Sequence, residues 1–390
     1  MLAAPSIPAE PAARVPSVPA VQVLRAFAAV SVAVAHLPGA FLHRGLDLVY
    51  DMAPLTVGVD AFFIISGFIM LHVERERGAT AAGRFLVRRA IRIAPLYWIA
   101  TTVALVVYLH QTRHEMPHPP ILMRTLTSYL FWPNGNNPAD PFDMAPIYPV
   151  GWTLNYEAFF YMAFSVLMFV EVRYRLLVAV LLLGGFVALG QVVELPLPLF
   201  FWSRPNVAEF LFGMAIADGV RRGWSLRPMV GAGLAVLAVA LFAAGFAVQD
   251  GVVDLIGDYV DDSRFIAWGL PSALLVSAAV FTPWTPRSRF ARAMLFLGDA
   301  SFSIYLTHYG LYDAVMPAVH HFTGSHPHAL GIVLACGTML VAAVSAGCVV
   351  HVAIERPLYR LMRRRLARPS RRAILPETRF APPSLAPSPR

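Results

Sequence analysis

The sequence contains no lysine, two cysteines and few charged residues, and each shortage excludes a class of protein. All 31 basic residues are arginine, so mechanisms that need a lysine, such as a Schiff base or a P-loop, are excluded. Charged residues make up 14% of the chain, whereas soluble domains carry roughly 25%. This composition argues against a disordered chain, a disulfide scaffold or an ordinary cytosolic enzyme. It favours a polytopic membrane protein.

The two cysteines, Cys336 and Cys348, lie in one apolar run. The twelve residues of helix between them correspond to about 18 Å, which is too far for a disulfide. The sequence also lacks the Cys/His spacings that are typical of metal sites. We therefore expect neither a disulfide nor a bound metal.

Long apolar segments are what the chain does contain, and each approaches the length needed to cross ~30 Å of hydrocarbon. They predict an all-α membrane protein with about ten transmembrane helices, and a further short helix is expected near 120–131 in the longest loop. The predicted spans are 21–38, 55–73, 91–109, 152–170, 176–193, 198–217, 229–248, 265–282, 294–316 and 330–354.

Both ends of the chain differ in composition from the apolar middle. Residues 1–20 are rich in Pro and Ala and lack the apolar core of a signal peptide, so we expect a disordered tail. Residues 358–390 are rich in Arg and Pro and are expected to be mostly disordered in the cytoplasm. Residues 21–357 are predicted to form one membrane domain, without a separate soluble domain.

The arginines are distributed unevenly between the loops. With ten spans, 26 of the 31 arginines fall on one side of the membrane. The positive-inside rule then places both termini in the cytoplasm, and an even number of spans agrees with this. The basic isoelectric point of 9.8 is therefore explained by topology, without nucleic acid as a partner.

Arg25 and His36 are the most informative ionisable residues in the predicted spans, because such residues are costly in a membrane. Eleven residues at 100° each amount to 20° more than three turns, so both side chains share one helix face, about 16 Å apart along its axis. This stripe suits a pathway across the bilayer. The alternative is that His36 is an interfacial histidine.

Four ionisable residues from four predicted helices reach similar depths in the outer half of the membrane. They are His36, Asp60, Glu157 and His308. A common aqueous pocket is the simplest explanation of this shared layer, and separate packing ion pairs are the alternative. Glu157 follows Gly151-Trp152-Thr153-Leu154-Asn155-Tyr156, and this setting suits acid–base work or the orientation of an imidazole.

Three arginines, Arg88, Arg89 and Arg92, begin the third predicted helix on the cytoplasmic side. Their guanidinium groups suit bidentate contacts with a polyphosphate. The alternative is that they only anchor the topology.

Several motifs follow one another along the chain in a specific order and spacing. They are Arg25 with ten residues before His36; Val57-Gly58-Val59-Asp60-Ala61-Phe62-Phe63-Ile64-Ile65-Ser66-Gly67-Phe68; Arg89-Ala90-Ile91-Arg92-Ile93-Ala94-Pro95; Leu297-Gly298-Asp299-Ala300-Ser301-Phe302-Ser303-Ile304-Tyr305-Leu306-Thr307-His308; and Glu355-Arg356-Pro357. Together they make the chain, from about residue 20 to 360, resemble the acyltransferase-3 family of integral membrane acyltransferases. The segment Val150 to Tyr161 is similar to the exopolysaccharide O-acetyltransferase branch.

The resemblance implies an O-acyltransferase that moves an acyl group, usually acetyl from cytoplasmic acetyl-CoA, to a carbohydrate at or beyond a bacterial cytoplasmic (inner) membrane. It implies that His36 is the catalytic base or a transient acyl carrier. Glu157 is expected to pair with His36 or to contact the acceptor. The expected donor ligands are Arg25 for the pantetheine and Arg88, Arg89 and Arg92 for the phosphates.

His308 matches a family motif and is a further catalytic candidate, and the substrate pocket is expected to contain Asp60, Ser66, Trp152 and Tyr305. The expected partners are acyl-CoA, a carbohydrate acceptor and the lipid bilayer, and polysaccharide assembly machinery stays open as a further one. Two alternatives from other classes remain. One is a transporter or flippase for a lipid-linked sugar or an ion, and the other is a non-catalytic subunit of an export complex.

Overall fold

The computed structural model of the chain describes residues 18–37, 53–112, 120–135, 144–248, 264–323 and 329–366. Within these ranges every regular element is helical, as the apolar segments predict. The α-helices are α1 (Pro19–Ala35), α2 (Gly58–Val73), α3 (Ala79–Gln111), α4 (Pro120–Tyr129), α5 (Trp152–Leu167), α6 (Arg175–Val192), α7 (Leu199–Trp202), α8 (Asn206–Arg221), α9 (Pro228–Val248), α10 (Phe265–Phe281), α11 (Arg289–Thr323), α12 (Ala329–Val350) and α13 (Arg356–Leu366).

Short stretches of other helical geometry modify these helices. A π-helical turn interrupts α6 at Val180–Gly184, another begins α10 at Phe265–Gly269, and a third joins α12 to α13 at His351–Glu355. Single 3₁₀ turns precede α2 at Ala53–Val57 and α5 at Pro149–Gly151. Such π turns occur frequently at functional sites.

Among the described residues, five helices are long and apolar enough to cross a membrane. They are Leu55–Val73, Ala79–Gln111, Arg175–Val192, Pro228–Phe246 and Leu330–Arg364. Two shorter apolar helices, Pro19–Ala35 and Phe265–Phe281, accompany them. The count of ten spans and the cytoplasmic placement of both termini stay predictions.

The predicted segments and the helices agree closely, with one division. The sixth segment, 198–217, is split because α7 ends at Trp202 and α8 begins at Asn206, with Pro205 between them. The short helix expected near 120–131 is present as α4. Helix α13 continues to Leu366, inside the segment predicted as a tail, and the predictions for 1–17 and 367–390 lie outside the described residues.

Glycines allow the helices that carry the predicted site residues to pack very closely. A Cβ at Gly67 of α2 would overlap the carbonyl oxygen of Phe210 in α8, and one at Gly213 of α8 would overlap that of Ile64 in α2. Helix α1 contacts α11 in the same way, because a Cβ at Gly298 would overlap the carbonyl of Gln22. Small residues at such crossings are typical of helix packing in membranes.

Candidate active site

A cavity lies between α1, α2, α3, α5 and α11, and all five helices contribute polar side chains to its wall. It encloses about 80 Å³, enough for several water molecules. We call it the central cavity. Its polar wall consists of Arg25, Ser66, Arg89, Arg92, Thr153, Glu157, Tyr161, Ser301 and Tyr305.

A second cavity of about 280 Å³ lies near the first two turns of α1, the third turn of α11 and the junction of α12 with α13. We call it the vestibule. Two arginines, Arg25 and Arg92, line both cavities and so mark the place where they adjoin. The remaining vestibule residues are Gln22, Asp299, His351, Glu355, Arg356 and Tyr359.

Arg25 is buried at this junction because α1 packs tightly against α11. Its Nη2 donates a hydrogen bond to Oγ of Ser301 at 2.9 Å, and Nη1 lies 3.5 Å from Oε1 of Gln22. Both partners are neutral, so among the contacts of the described residues the guanidinium charge has no counter-ion in direct contact. A buried cation of this kind attracts an anionic or strongly polar ligand.

The three arginines of α3 that are predicted to bind the donor, Arg88, Arg89 and Arg92, differ in how their charges are compensated. Arg88 Nη2 lies 2.8 Å from Oε2 of the buried Glu74, and Arg89 Nη2 lies 3.5 Å from its Oε1. Arg92 makes no hydrogen bond or ion pair with any described residue. The structure therefore leaves Arg92 available for a ligand, whereas Arg88 is paired with Glu74 and lines neither cavity.

Glu74 was not identified from the sequence, and it organises this end of α3. Its backbone carbonyl accepts a hydrogen bond from Nη1 of the fully buried Arg175 at 2.7 Å. Arg175 Nη2 also bonds the carbonyl of Glu76 at 2.5 Å, so the segment after α2 is fixed to the start of α6. The side chain of Glu74 is thereby held beside Arg88 and Arg89.

Glu157 faces the central cavity from α5. Ser66 Oγ donates to its Oε1 at 3.0 Å, and Tyr161 Oη donates to the same oxygen. Tyr161 is one helical turn after Glu157, a spacing that brings side chains together, and this is the sequence signal that identifies it. The structure thus places Glu157 with Ser66, a predicted pocket residue, and gives it no direct contact with His36.

His36 and His308 form a pair that lines neither the central cavity nor the vestibule. His36 Nδ1 lies 2.8 Å from the carbonyl oxygen of Val32 and 3.4 Å from Nε2 of His308. A carbonyl oxygen only accepts hydrogen bonds, so Nδ1 of His36 carries the proton and Nε2 has the free lone pair. His308 Nδ1 faces the carbonyl of Ile304 at 3.3 Å, which leaves its Nε2 as the acceptor facing His36.

Tyr305 stands between the central cavity and the histidine pair. Its hydroxyl donates to the carbonyl of Val150 at 2.8 Å and lies 2.9 Å from Oγ1 of Thr153, and its ring centroid is 5.9 Å from that of His308.

Trp152, also predicted as a pocket residue, does not line the cavity. Its ring packs at 6.4 Å from Phe63, in the aromatic core.

The prediction of one shared pocket for four ionisable residues is wrong. Only His36 and His308 meet, while Glu157 lines the central cavity. Asp60 is fully buried and bonded to Arg264 by a 2.6 Å contact between Oδ2 and Nη2. Similar depth in the membrane therefore does not imply proximity, because the rotation of each helix about its axis decides where its side chains point.

Comparisons with known proteins identify relatives along most of the chain. A family model described as "Acyltransferase domain" matches residues 18–347. The exopolysaccharide production protein ExoZ of Rhizobium meliloti (strain 1021) is 31% identical, over 79% of this chain and 90% of that protein. The acyltransferase MdmB of Streptomyces mycarofaciens is 26% identical, over 95% of this chain and 98% of that protein.

The O-acetyltransferase OatA of Staphylococcus aureus (strain NCTC 8325 / PS 47) is 24% identical, over 84% of this chain and 55% of that protein. This chain therefore matches only about half of OatA. No solved structure matches the chain.

Proposed function

The chain belongs to the acyltransferase-3 family, and on that premise we propose that it transfers an acyl group, with acetyl as the expected group, from cytoplasmic acyl-CoA to a polysaccharide hydroxyl. The acceptor is an exported or cell-surface polysaccharide or its lipid-linked precursor. One observation carries the proposal. Arg25 and Arg92 line both the vestibule and the central cavity, so they connect a cationic entrance with the interior of the helix bundle.

The donor enters through the vestibule in this proposal. Arg25, Arg92 and Arg356 contribute cations there, and Arg356 lies 3.9 Å from Asp299, beyond normal hydrogen-bonding distance. Guanidinium groups bind phosphate oxygens in bidentate geometry, which suits the phosphates of acyl-CoA. The thioester end then reaches past Arg25 into the central cavity.

His36 is the proposed base for acyl transfer. Its Nε2 has a free lone pair, because Nδ1–H is directed at Val32 O and at Nε2 of His308. Nε2 removes the proton of the acceptor hydroxyl as that oxygen attacks the thioester carbonyl carbon. The carbon–sulfur bond breaks, and the proton passes from His36 to the departing CoA thiolate.

A covalent route uses the same nitrogen. In that route Nε2 of His36 attacks the thioester carbonyl carbon, the carbon–sulfur bond breaks, and CoA leaves as the thiol with the imidazole proton. The acceptor hydroxyl then attacks the acyl-imidazole, the bond from carbon to Nε2 breaks, and the hydroxyl proton returns to the imidazole. Recovery of an acyl-imidazole from protein incubated with donor and no acceptor supports this route. His308 serves both routes by holding His36 in the required tautomer.

Glu157 and Tyr305 have separate proposed roles. Glu157, held by Ser66 and Tyr161, provides a carboxylate on the wall of the central cavity that can accept hydrogen bonds from a sugar hydroxyl or from the donor amide groups.

Tyr305 separates that cavity from the histidine pair. We propose that rotation of its side chain, or of Phe62 packed 6.1 Å away, opens the central cavity to His36 when the donor is bound.

The test uses purified protein in liposomes, with acetyl-CoA labelled in its acetyl group and a lipid-linked glycan or polysaccharide as acceptor. We expect label to appear on the glycan as an ester that mild alkali releases. Movement of unmodified glycan across the bilayer, without any labelled ester, would contradict the proposal and support a transporter or flippase.

A further inference from the structure

Three charged side chains form a second buried cluster, outside both cavities. Asp60 of α2 and Glu209 of α8 have no exposed surface, and Arg264, which precedes α10, is 1% exposed. We call this set the Asp60 triad. None of its members lines the central cavity or the vestibule.

Arg264 joins two of the chain segments in the triad. Its Nη2 donates to Oδ2 of Asp60 at 2.6 Å and to the carbonyl of Thr56 at 3.1 Å, and Nη1 donates to Oγ1 of Thr56 at 3.0 Å. The carboxyl groups of Asp60 and Glu209 interact electrostatically with each other and with Arg264. Helix α10 covers them so closely that a Cβ on Gly269 would lie 3.0 Å from Oε1 of Glu209.

Three buried carboxylate oxygens in the triad lack a hydrogen-bond donor. They are Oδ1 of Asp60 and both Oε1 and Oε2 of Glu209. With both carboxyl groups ionised, the three buried side chains together carry a net charge of −1. A buried carboxylate without a donor or counter-ion is strongly disfavoured, and neutralisation is the usual outcome.

We propose that the triad is a proton-binding site, in which Glu209 is protonated and donates its hydrogen bond to Oδ1 of Asp60. The proton removes the net charge and satisfies one of the oxygens that lack a donor. It also makes a hydrogen bond between α2 and α8, the two helices whose backbones meet at Gly67 and Gly213. A metal cation fits less well, because the guanidinium of Arg264 already occupies the ionised face of Asp60.

The ionisable groups on neighbouring elements do not compete for this proton. Glu157 of α5 is engaged by Ser66 and Tyr161, His36 of α1 is engaged by Val32 and His308, and Arg25 is engaged by Ser301. On α2 and α8 themselves, His72 and Asp218 lie near the C-terminal ends of the helices, whereas Asp60 and Glu209 lie near the N-terminal ends. Described residues of α9 and of α10 after Arg264 include no ionisable side chain.

Infrared spectroscopy of the full-length protein in lipid tests the proposal at neutral pH. A protonated carboxylic acid has a C=O stretch separate from the carboxylate bands. We expect this band in the wild-type protein, its loss in Glu209→Gln, and its retention in the control Glu171→Gln, whose side chain is 47% exposed. Absence of the band from the wild-type protein, or its persistence in Glu209→Gln, would overturn the proposal.

Folding of the same variants gives an independent readout. Gln has the shape of protonated Glu and supplies an N–H donor for Asp60, so Glu209→Gln should stay folded, with a thermal unfolding midpoint close to that of wild type. Unfolding of Glu209→Gln would contradict a protonated Glu209. A wild-type midpoint that depends on sodium, in a protein without the carboxylic acid band, would identify a bound cation and exclude the proton.

Discussion

The central cavity and the Asp60 triad contain the same kinds of side chain, carboxylates and arginines within a helix bundle, but they differ in how these groups are satisfied. In the cavity, Arg92 has no partner among the described residues and Arg25 is bonded only to neutral groups. In the triad, Arg264 at the start of α10 is buried, and its Nη2 forms an ion pair with Asp60 of α2. The arginines of the cavity thus remain able to bind a ligand, whereas the arginine of the triad already binds a carboxylate of the same protein.

This difference teaches that an ionisable residue in a membrane helix is not by itself evidence of a ligand site. Accessible space and an uncompensated donor are needed as well. Asp60 has no exposed surface, yet it lines neither cavity and its carboxylate is paired with Arg264. Substitutions in the two regions should consequently fail in different ways, with loss of activity in one and loss of folding in the other.

The largest expected effect is on catalysis. His36→Ala removes the proposed base and should reduce acyl transfer by about 10²- to 10⁴-fold, the usual contribution of general acid–base catalysis, while the protein still inserts and folds. The rate of transfer from labelled acetyl-CoA in liposomes measures this. His110→Ala, an exposed histidine on α3, is the matched control and should retain wild-type activity. Full activity of His36→Ala would remove His36 from the mechanism.

The next largest expected effect is a loss of folding, which distinguishes substitutions in the Asp60 triad from those in the central cavity. Asp60→Ala leaves the buried guanidinium of Arg264 without its carboxylate, which should cost about 3–5 kcal/mol. The yield of monodisperse protein in fluorescence-detected size-exclusion chromatography measures this loss. The control is Asp299→Ala, whose side chain is 50% exposed and whose ion pair with Arg356 spans 3.9 Å.

A double variant sharpens the interpretation of that loss. Asp60→Ala combined with Arg264→Met removes both charges and should recover folded protein, because the penalty comes from the uncompensated charge and not from the missing ion pair. If the double variant folds no better than Asp60→Ala, the charge argument for the triad fails.

The smallest effect is on donor affinity and compares two arginines of α3. Arg92→Ala should raise the KM for acetyl-CoA about 10- to 100-fold, because a hydrogen bond to a charged group contributes about 1.5–3 kcal/mol and each 1.4 kcal/mol is tenfold. Arg88→Ala should have a smaller effect, since Arg88 is paired with Glu74 and its side chain is 46% exposed. Equal increases in KM for the two variants would contradict the distinction between them.

The sequence by itself determined the helical class, the helix positions and the residues that share one helix face. Those properties follow from local apolar length and from the 3.6-residue period, which do not depend on distant residues. The motif residues Arg25, Ser66, Arg89, Arg92, Glu157 and Tyr305 do meet around one cavity. The motif pattern could identify them because the family resemblance already contains information about contacts.

Only the tertiary structure decided which ionisable residues are partners. Hydropathy gives the depth of a residue but not the direction of its side chain. The pairing of His36 with His308, of Asp60 with Arg264, and of Arg88 with Glu74 therefore could not be predicted. These pairings depend on how close the helices approach and on their rotation about their axes. Glycines such as Gly67 and Gly213 permit the approach, and the packing of the whole bundle fixes the rotation.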